Sequence, residues 1–228
     1  MKFCTVIVAA LLTFGASSAG ASTLITVSSY DMPNGDGTAA GGDFNYWDAG
    51  YSNCIAGNCT TDGIDGSYLS GGKGKLTDGV IPSSSFFAGD GIGAYVGWLE
   101  NPTITFRFGA PQTINEIKLF VDNSFVSGVA APSSVVINGT SYSDPSWGSV
   151  DSPQTLDITG LALNSSTIAL TLNRSTASSI YWVFLSEAQF FGPSSTTPLP
   201  AALPLMLTGL VGFGVLAYRR AGMQRHAG

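Results

Sequence analysis

The chain has 228 residues, a formal net charge of −6 at pH 7 and 29 glycines. Residues 22–197 contain five basic and fifteen acidic residues, a net charge of −10 without a basic patch, which argues against a nucleic-acid partner. The single histidine, His226, lies beyond that part, which excludes Ser-His-Asp and Cys-His catalysis and histidine-ligated zinc there.

Residues 1–21 have the pattern of a secretory signal peptide. Lys2 supplies a basic start, residues 6–14 form an apolar run, and Ala19, Gly20 and Ala21 form a small-residue cleavage site. The alternative is an uncleaved membrane anchor, but the apolar run is short. We therefore expect a cleaved signal helix and an exported chain that begins at residue 22.

Residues 31–90 are dense in glycine and aspartate and predict long loops. After cleavage the exported chain has two cysteines, Cys54 and Cys59. An even pair in an oxidising compartment predicts a disulfide, which here would fix a local turn.

The body of the chain predicts strands without an amphipathic helix. Short runs rich in Thr, Ile, Val and Phe, several of them alternating apolar and polar residues, are bounded by Gly, Pro, Asn or Ser. They cover residues 23–29, 103–108, 114–121, 134–137, 155–158, 167–172 and 181–191. This pattern predicts one antiparallel β-sandwich or jelly roll over residues 22–192.

The C-terminal part begins with a linker, residues 193–198. Residues 199–218 are apolar and about as long as the ~20-residue helix that crosses a membrane. Arg219 and Arg220 follow directly, so the positive-inside rule places residues 221–228 in the cytoplasm.

This tail resembles the PEP-CTERM sorting signal, in its Pro-Leu-Pro-Ala variant. The matching residues are Pro198, Leu199, Pro200, Ala201, Arg219 and Arg220, with the glycine-containing apolar segment between them. The resemblance implies processing by a membrane-embedded exosortase in a Gram-negative bacterium that exports polysaccharide. A plain single-span membrane anchor is the alternative. The eight residues after Arg220 form a longer C-terminal extension than is usual for this signal.

Three segments of the body resemble the galactose-binding-domain-like, discoidin-type jelly roll. They are the turn Lys75-Leu-Thr-Asp-Gly79, the strand–turn–strand of residues 103–121, and the closing strand of residues 181–191. The family usually has Asp at the position of Arg107.

The resemblance implies one structural calcium ion held by Asp78 and Glu187 with backbone carbonyls, chemistry that suits a hard cation. The other interpretations are that Asp78 caps a turn and that Glu187 pairs with a lysine. Loops at one end of the sandwich are the usual ligand site, and Trp47 and Trp147 are the loop aromatics we expect there. Trp98 and Trp182 have apolar surroundings and are expected in the core.

These observations favour a non-catalytic protein of the cell surface or extracellular matrix. It would be anchored in the inner membrane before exosortase processing, with exopolysaccharide as its candidate ligand. The alternative is a secreted glycan hydrolase, which would need two facing carboxylates.

Overall fold

The computed structural model describes residues 22–37, 45–52, 65–147, 153–177 and 179–193. Its strands are β1 (Ser22–Ile25), β2 (Ser29–Pro33), β3 (Tyr68–Gly72), β4 (Val96–Trp98), β5 (Thr103–Val121), β6 (Ser134–Ile137), β7 (Thr140–Tyr142), β8 (Gln154–Asn173) and β9 (Val183–Pro193). Three short 3-10 turns, Lys75–Thr77, Gly89–Gly91 and Val126–Gly128, join some of them.

Several predicted features lie outside the described residues. These are the signal segment, the Cys54–Cys59 pair and the tail after residue 193. Within the described ranges, no helix is long and apolar enough to cross a membrane.

All pairings between the strands are antiparallel. The main order is β1-β9-β5-β8-β6-β7; β2 pairs with β3 and β5, and β4 pairs with β9. This confirms the prediction of an all-β, antiparallel fold.

The predicted boundaries were wrong for the longest strands. Residues 103–108 and 114–121 belong to one continuous strand, β5, and residues 155–158 and 167–172 both lie in its partner β8. Gly109 and Pro111 indicated a turn, but the β5–β8 register shifts between Arg107 and Gln112 and again between Ile114 and Glu116. Such bulges bend a strand pair and accommodate proline. The first part of β5 pairs with β2 and the second with β9.

The predicted first strand, residues 23–29, is two strands in the structure. β1 pairs with β9, whereas β2 pairs with β3 and β5. Residues 26–28 separate two strands that pair with different partners. A local sequence pattern cannot predict such a change of partner.

The interior consists of two groups of buried side chains. The main core is aliphatic and aromatic, with Ile104, Phe106, Ile117, Leu119 and Phe190 fully buried. A smaller group, which we call the aromatic cluster, contains Phe86, Tyr95, Val129, Trp182 and Phe184, with Tyr46 packed against it. Burying one such large side chain stabilises the fold by about 1.5–3 kcal/mol.

Candidate ligand and metal sites

Three loops meet over the aromatic cluster, and we call residues 84–95, 122–131 and 179–182 the loop end. The Phe86 N–H donates a hydrogen bond to Asp122 Oδ2 at 2.6 Å, which joins the first loop to the second. The Tyr181 N–H donates to the Gly128 carbonyl at 2.9 Å, which joins the third loop to the second. The loops are therefore held together by one hydrogen bond to a side chain and one between backbone groups.

The loop end exposes aromatic rings to solvent. Phe87, Phe125 and Tyr181 are 50%, 50% and 52% exposed, and the apolar side chains of Ile92 and Val126 are also exposed. Exposed apolar groups that several segments contribute to one end of a protein are typical of interaction sites.

The backbone that presents Phe125 is in an unfavourable conformation. Phe125 and Ser127 have φ angles of 58° and 52°, in the left-handed region that side-chain-bearing residues rarely adopt. Gly128 also has a positive φ, and the Tyr181 ring packs against it, since a Cβ there would lie 2.7 Å from Tyr181 Cδ2. Strain of this kind costs about 1–3 kcal/mol per residue and concentrates at functional sites.

A cationic side chain lies beside the backbone of Tyr181. Arg174 Nη1 donates a hydrogen bond to the Tyr181 carbonyl at 2.8 Å, and the side chain makes no ion pair in the described part of the chain. Aromatic faces can pack on the C–H faces of a sugar, while a guanidinium donates hydrogen bonds to hydroxyl or carboxylate oxygens. The exposed rings and the Arg174 guanidinium are thus groups of the kinds that can contact a sugar.

Asp78 and Glu187 lie beside the same surface depression, which has a volume of about 230 Å³. Asp78 follows the Lys75–Thr77 turn, and Glu187 belongs to β9 and is 5% exposed. The Gly79 N–H donates a hydrogen bond to Glu187 Oε2 at 3.1 Å. Gly79 has a φ of +83°, so glycine suits this position.

The residues around this depression supply oxygen atoms of the kind that calcium binds. Burial, with the Asp78 charge as a smaller contribution, raises the pKa of Glu187 to about 7 despite the Gly79 hydrogen bond. Thr77 also lines the depression, and its Oγ1 is buried without a hydrogen-bond partner among the described residues. Calcium takes such hard oxygen ligands.

Two further observations limit the metal site. No three His, Cys, Asp or Glu side chains of the described residues could together hold a metal ion. Calcium would therefore need the Thr77 hydroxyl and backbone carbonyls beside the two carboxylates. Lys73 lines the depression but forms no ion pair with either carboxylate. Metal binding here stays a prediction.

A buried polar network lies next to the Lys75–Thr77 turn. Asp48 accepts hydrogen bonds from the Tyr30 hydroxyl and from the Lys75 N–H, and burial raises the pKa of the Asp48 carboxyl. Lys75 Nζ donates to the Trp47 carbonyl at 2.8 Å. The network therefore fixes the loop of residues 45–52 to the turn that precedes Asp78.

Trp47 and Trp147, the predicted ligand residues, belong to none of the three segments of the loop end, and their contacts differ. Trp47 is partly exposed, and its Nε1 donates to Asp65 Oδ1 at 2.9 Å. Trp147 packs partly against the main core and lines a shallow depression with Tyr142 and Asp157. Their role in binding stays a prediction. Trp98 and Trp182 are buried, as expected for core residues.

Sequence reasoning missed Phe87, Phe125, Tyr181 and Thr77. One local signal was available for Phe125, because it interrupts a polar loop between two strands, residues 122–128. Tyr181 was assigned to the last strand, which begins instead at Val183.

Several solved structures are similar to this chain. The CBM32 of AlyQ, solved with 4,5-unsaturated mannuronic acid, is 19% identical with a TM-score of 0.33, covering 42% of this chain and 76% of that one. The lectin domain of lectinolysin, solved with Lewis B antigen, is 14% identical with a TM-score of 0.37, covering 53% and 83%. The family 32 CBM of C. perfringens NanJ, solved with galactose, is 10% identical with a TM-score of 0.35, covering 51% and 82%. No curated protein matches the chain.

One family model matches most of the chain. It is the DS-like domain of discoidin domain-containing receptor 1/2, and it matches residues 26–191. The match starts in the segment between β1 and β2 and ends within β9. It therefore includes the loop end and the carboxylates of Asp78 and Glu187. The chain belongs to the discoidin domain-containing receptor DS-like family.

Proposed function

We propose that this chain is an exported, non-catalytic module that binds polysaccharide through its loop end. The observation that carries the proposal is the group of half-exposed rings, Phe87, Phe125 and Tyr181, on loops fixed to one another by hydrogen bonds. Arg174 beside Tyr181 supplies donors for sugar oxygens. A preorganised binding surface loses less entropy when it takes up its ligand.

Calcium has a structural role in this proposal. Thr77, Asp78 and Glu187 would hold the ion and so fix the turn after β3 to β9. A ligand that binds only the folded state raises its stability by mass action. We expect chelation to lower the melting temperature of the wild-type protein. Asp78→Ala should abolish this sensitivity to chelator. If chelator does not change the melting curve of the wild type, the protein has no structural metal and this part of the proposal is wrong.

The location of the protein forms a separate part of the proposal. The signal segment, residues 1–21, would direct export, and an exosortase would process the tail at the motif Pro198, Leu199, Pro200 and Ala201. Before processing, the apolar segment and Arg219 with Arg220 would hold the chain in the inner membrane. The sequence features themselves support this part.

Affinity electrophoresis tests the loop end. The polysaccharide of the producing bacterium is cast into a native gel, and we expect it to retard the wild-type protein. Tyr181→Ala and Phe125→Gly should each lose most of the retardation. Tyr68→Ala is the matched control, because Tyr68 is 61% exposed but lies on β3, outside the loop end.

Two results of this experiment would contradict the proposal. Equal retardation of Tyr181→Ala and Tyr68→Ala would place any sugar site elsewhere. Release of new reducing sugar ends during incubation would instead favour the alternative, a carboxylate-dependent glycan hydrolase.

A further inference from the structure

The turn between β6 and β7 consists of Asn138 and Gly139, one of the two Asn-Gly pairs in the chain. Ile137 pairs with Thr140 across this two-residue loop, and the loop residues have φ angles of 47° and 86°. A hairpin turn with two positive φ angles favours asparagine followed by glycine. Both loop residues are exposed. The fold therefore presents this Asn-Gly pair to water.

The Asn138 side chain is bound to the neighbouring strand β8 through its carbonyl oxygen. The Asn138 N–H donates a hydrogen bond to the Ala169 carbonyl, and the Ala169 N–H donates to Asn138 Oδ1, both at 2.9 Å. A hydrogen bond to a carbonyl oxygen stabilises the negative charge that develops there when a nucleophile attacks the carbon. The Ala169 N–H therefore makes Asn138 Cγ a better electrophile.

The backbone nitrogen of Gly139 is the adjacent nucleophile along the chain. Its N–H donates to no backbone carbonyl of the described residues. A Cβ on Gly139 would meet no atom within 4 Å, and glycine itself has no side chain to obstruct attack by its nitrogen. Solvent can therefore reach this nitrogen and remove its proton.

We propose that Asn138 is a site of spontaneous modification, in which its amide converts to a carboxylate through a cyclic imide. The Gly139 nitrogen loses its proton to water and forms a bond with Asn138 Cγ. The Cγ–Nδ2 bond breaks, and Nδ2 takes a proton from water and leaves as ammonia. A water molecule then opens the ring at either carbonyl and yields aspartate or isoaspartate. The reaction needs neither a sugar nor a metal, so it is independent of the function proposed above.

The two products differ in their effect on the hairpin. Aspartate keeps an oxygen that can accept from the Ala169 N–H. Isoaspartate routes the main chain through the former side chain and adds one carbon to the two-residue loop, which disturbs the pairing of Ile137 with Thr140. β7 pairs only with β6 in the described sheet. The modification therefore adds a negative charge and loosens β7, and it accumulates with the age of the chain because ammonia is lost to solvent.

The second Asn-Gly pair, Asn34 and Gly35, provides a control within the same molecule. Asn34 is fully buried, and its Oδ1 accepts hydrogen bonds from the N–H groups of Gly35 and Asp48, both at 2.9 Å. The carbonyl of Tyr46 leaves no room for a Cβ on Gly35, so this segment is closely packed. Water reaches the second pair only when the structure opens locally.

The test incubates the full-length chain in detergent at mildly alkaline pH and follows both pairs by peptide mapping with tandem mass spectrometry. We expect Asn138 to gain the mass difference between an amide and an acid at least about tenfold faster than Asn34, which must first be exposed by local opening. The product should separate into two chromatographic forms, and Asn138→Asp supplies the reference for the aspartate form. In urea, which unfolds the chain, both pairs should react.

Two results would overturn the proposal. If Asn138 remains an amide in the native protein, whether or not it reacts in urea, the folded turn does not support the reaction. If both pairs react at the same rate under native conditions, modification follows opening of the domain and not the exposure of this turn.

Discussion

At the scale of single residues, the contact between Arg107 and Asp31 joins neighbouring strands of the sheet. Asp31 is 3% exposed, and its Oδ2 accepts from both Arg107 Nε and Nη2. Its Oδ1 accepts from the Ser70 hydroxyl and the Gly71 N–H. Arg107 thus neutralises a buried charge at the junction of β2, β3 and β5.

We predict that Arg107→Gln lowers the free energy of unfolding by about 1–3 kcal/mol, because it leaves the Asp31 carboxylate buried without its cation. The value is below that of a fully buried pair because the Arg107 side chain is 47% exposed. Urea denaturation measures the change. Lys118→Gln, which removes a partly exposed cation paired with Glu116 and the exposed Asp157, is the control and should cost less than 1 kcal/mol.

Glu187 should make the stability of the metal-free protein depend on pH. The ordinary carboxyl releases its proton near 4.5, whereas the buried one in the folded state has a pKa of about 7. Between these values the folded protein binds more protons than the unfolded chain, so the free energy of unfolding falls as pH rises. Melting curves in chelator measure this fall, and Glu187→Gln should remove it. A wild-type profile identical to that of Glu187→Gln would contradict the assignment.

At the scale of elements, β4 packs against the aromatic cluster at Gly97, which has no side chain. A Cβ on Gly97 would lie 2.1 Å from Phe184 Cε1, and Phe184, a residue of β9, is fully buried in the aromatic cluster. The loops therefore rest on a close contact between a strand backbone and a ring.

We predict that Gly97→Ala costs about 1–3 kcal/mol of stability, as expected when a packed core receives an extra methyl group. It should also weaken polysaccharide retardation, because displacement of Phe184 disturbs the loops above it. Gly109→Ala is the matched control, since nothing lies within 4 Å of a Cβ there, and its stability should stay within about 0.5 kcal/mol of wild type. Similar losses in both variants would contradict this role for Gly97.

The sequence predicted most strands because their side chains alternate in burial. In β5, Ile104, Phe106 and Phe108 are buried while Thr103 and Arg107 are exposed. The same reasoning broke β5 at Gly109, because a bulge and a turn have the same local residues. Only the pairing with β8 distinguishes them.

The candidate sites were less predictable for a different reason. Asp78 and Glu187 were nominated by family resemblance, and no local pattern connects residues 109 positions apart. Phe125 and Tyr181 form a surface only because the loops before β6 and β9 are joined by hydrogen bonds. Whether an aromatic ring is exposed depends on this tertiary arrangement. The sequence alone therefore favoured Trp47 and Trp147 as ligand residues.

At the scale of the whole molecule, the proposal gives separate tasks to the domain and to the tail. We predict that replacing Pro198, Leu199 and Pro200 with alanine leaves unprocessed protein in the inner membrane, because an exosortase would no longer recognise its motif. Fractionation and immunoblotting measure this. The same substitutions should not change the polysaccharide affinity of the detergent-solubilised chain. If the variant is displayed on the cell surface as the wild type is, the motif is not a sorting signal and the tail is only a plain membrane anchor.

Hydrogen–deuterium exchange with saturating polysaccharide tests the central claim most directly. Bound sugar should slow exchange of backbone amides in residues 122–131 and 179–182, which include Phe125 and Tyr181. Residues 66–72, around the exposed Tyr68, should exchange at the same rate with and without sugar. Protection that is absent from the loop end, or that appears only elsewhere in the chain, would contradict a polysaccharide site at this position.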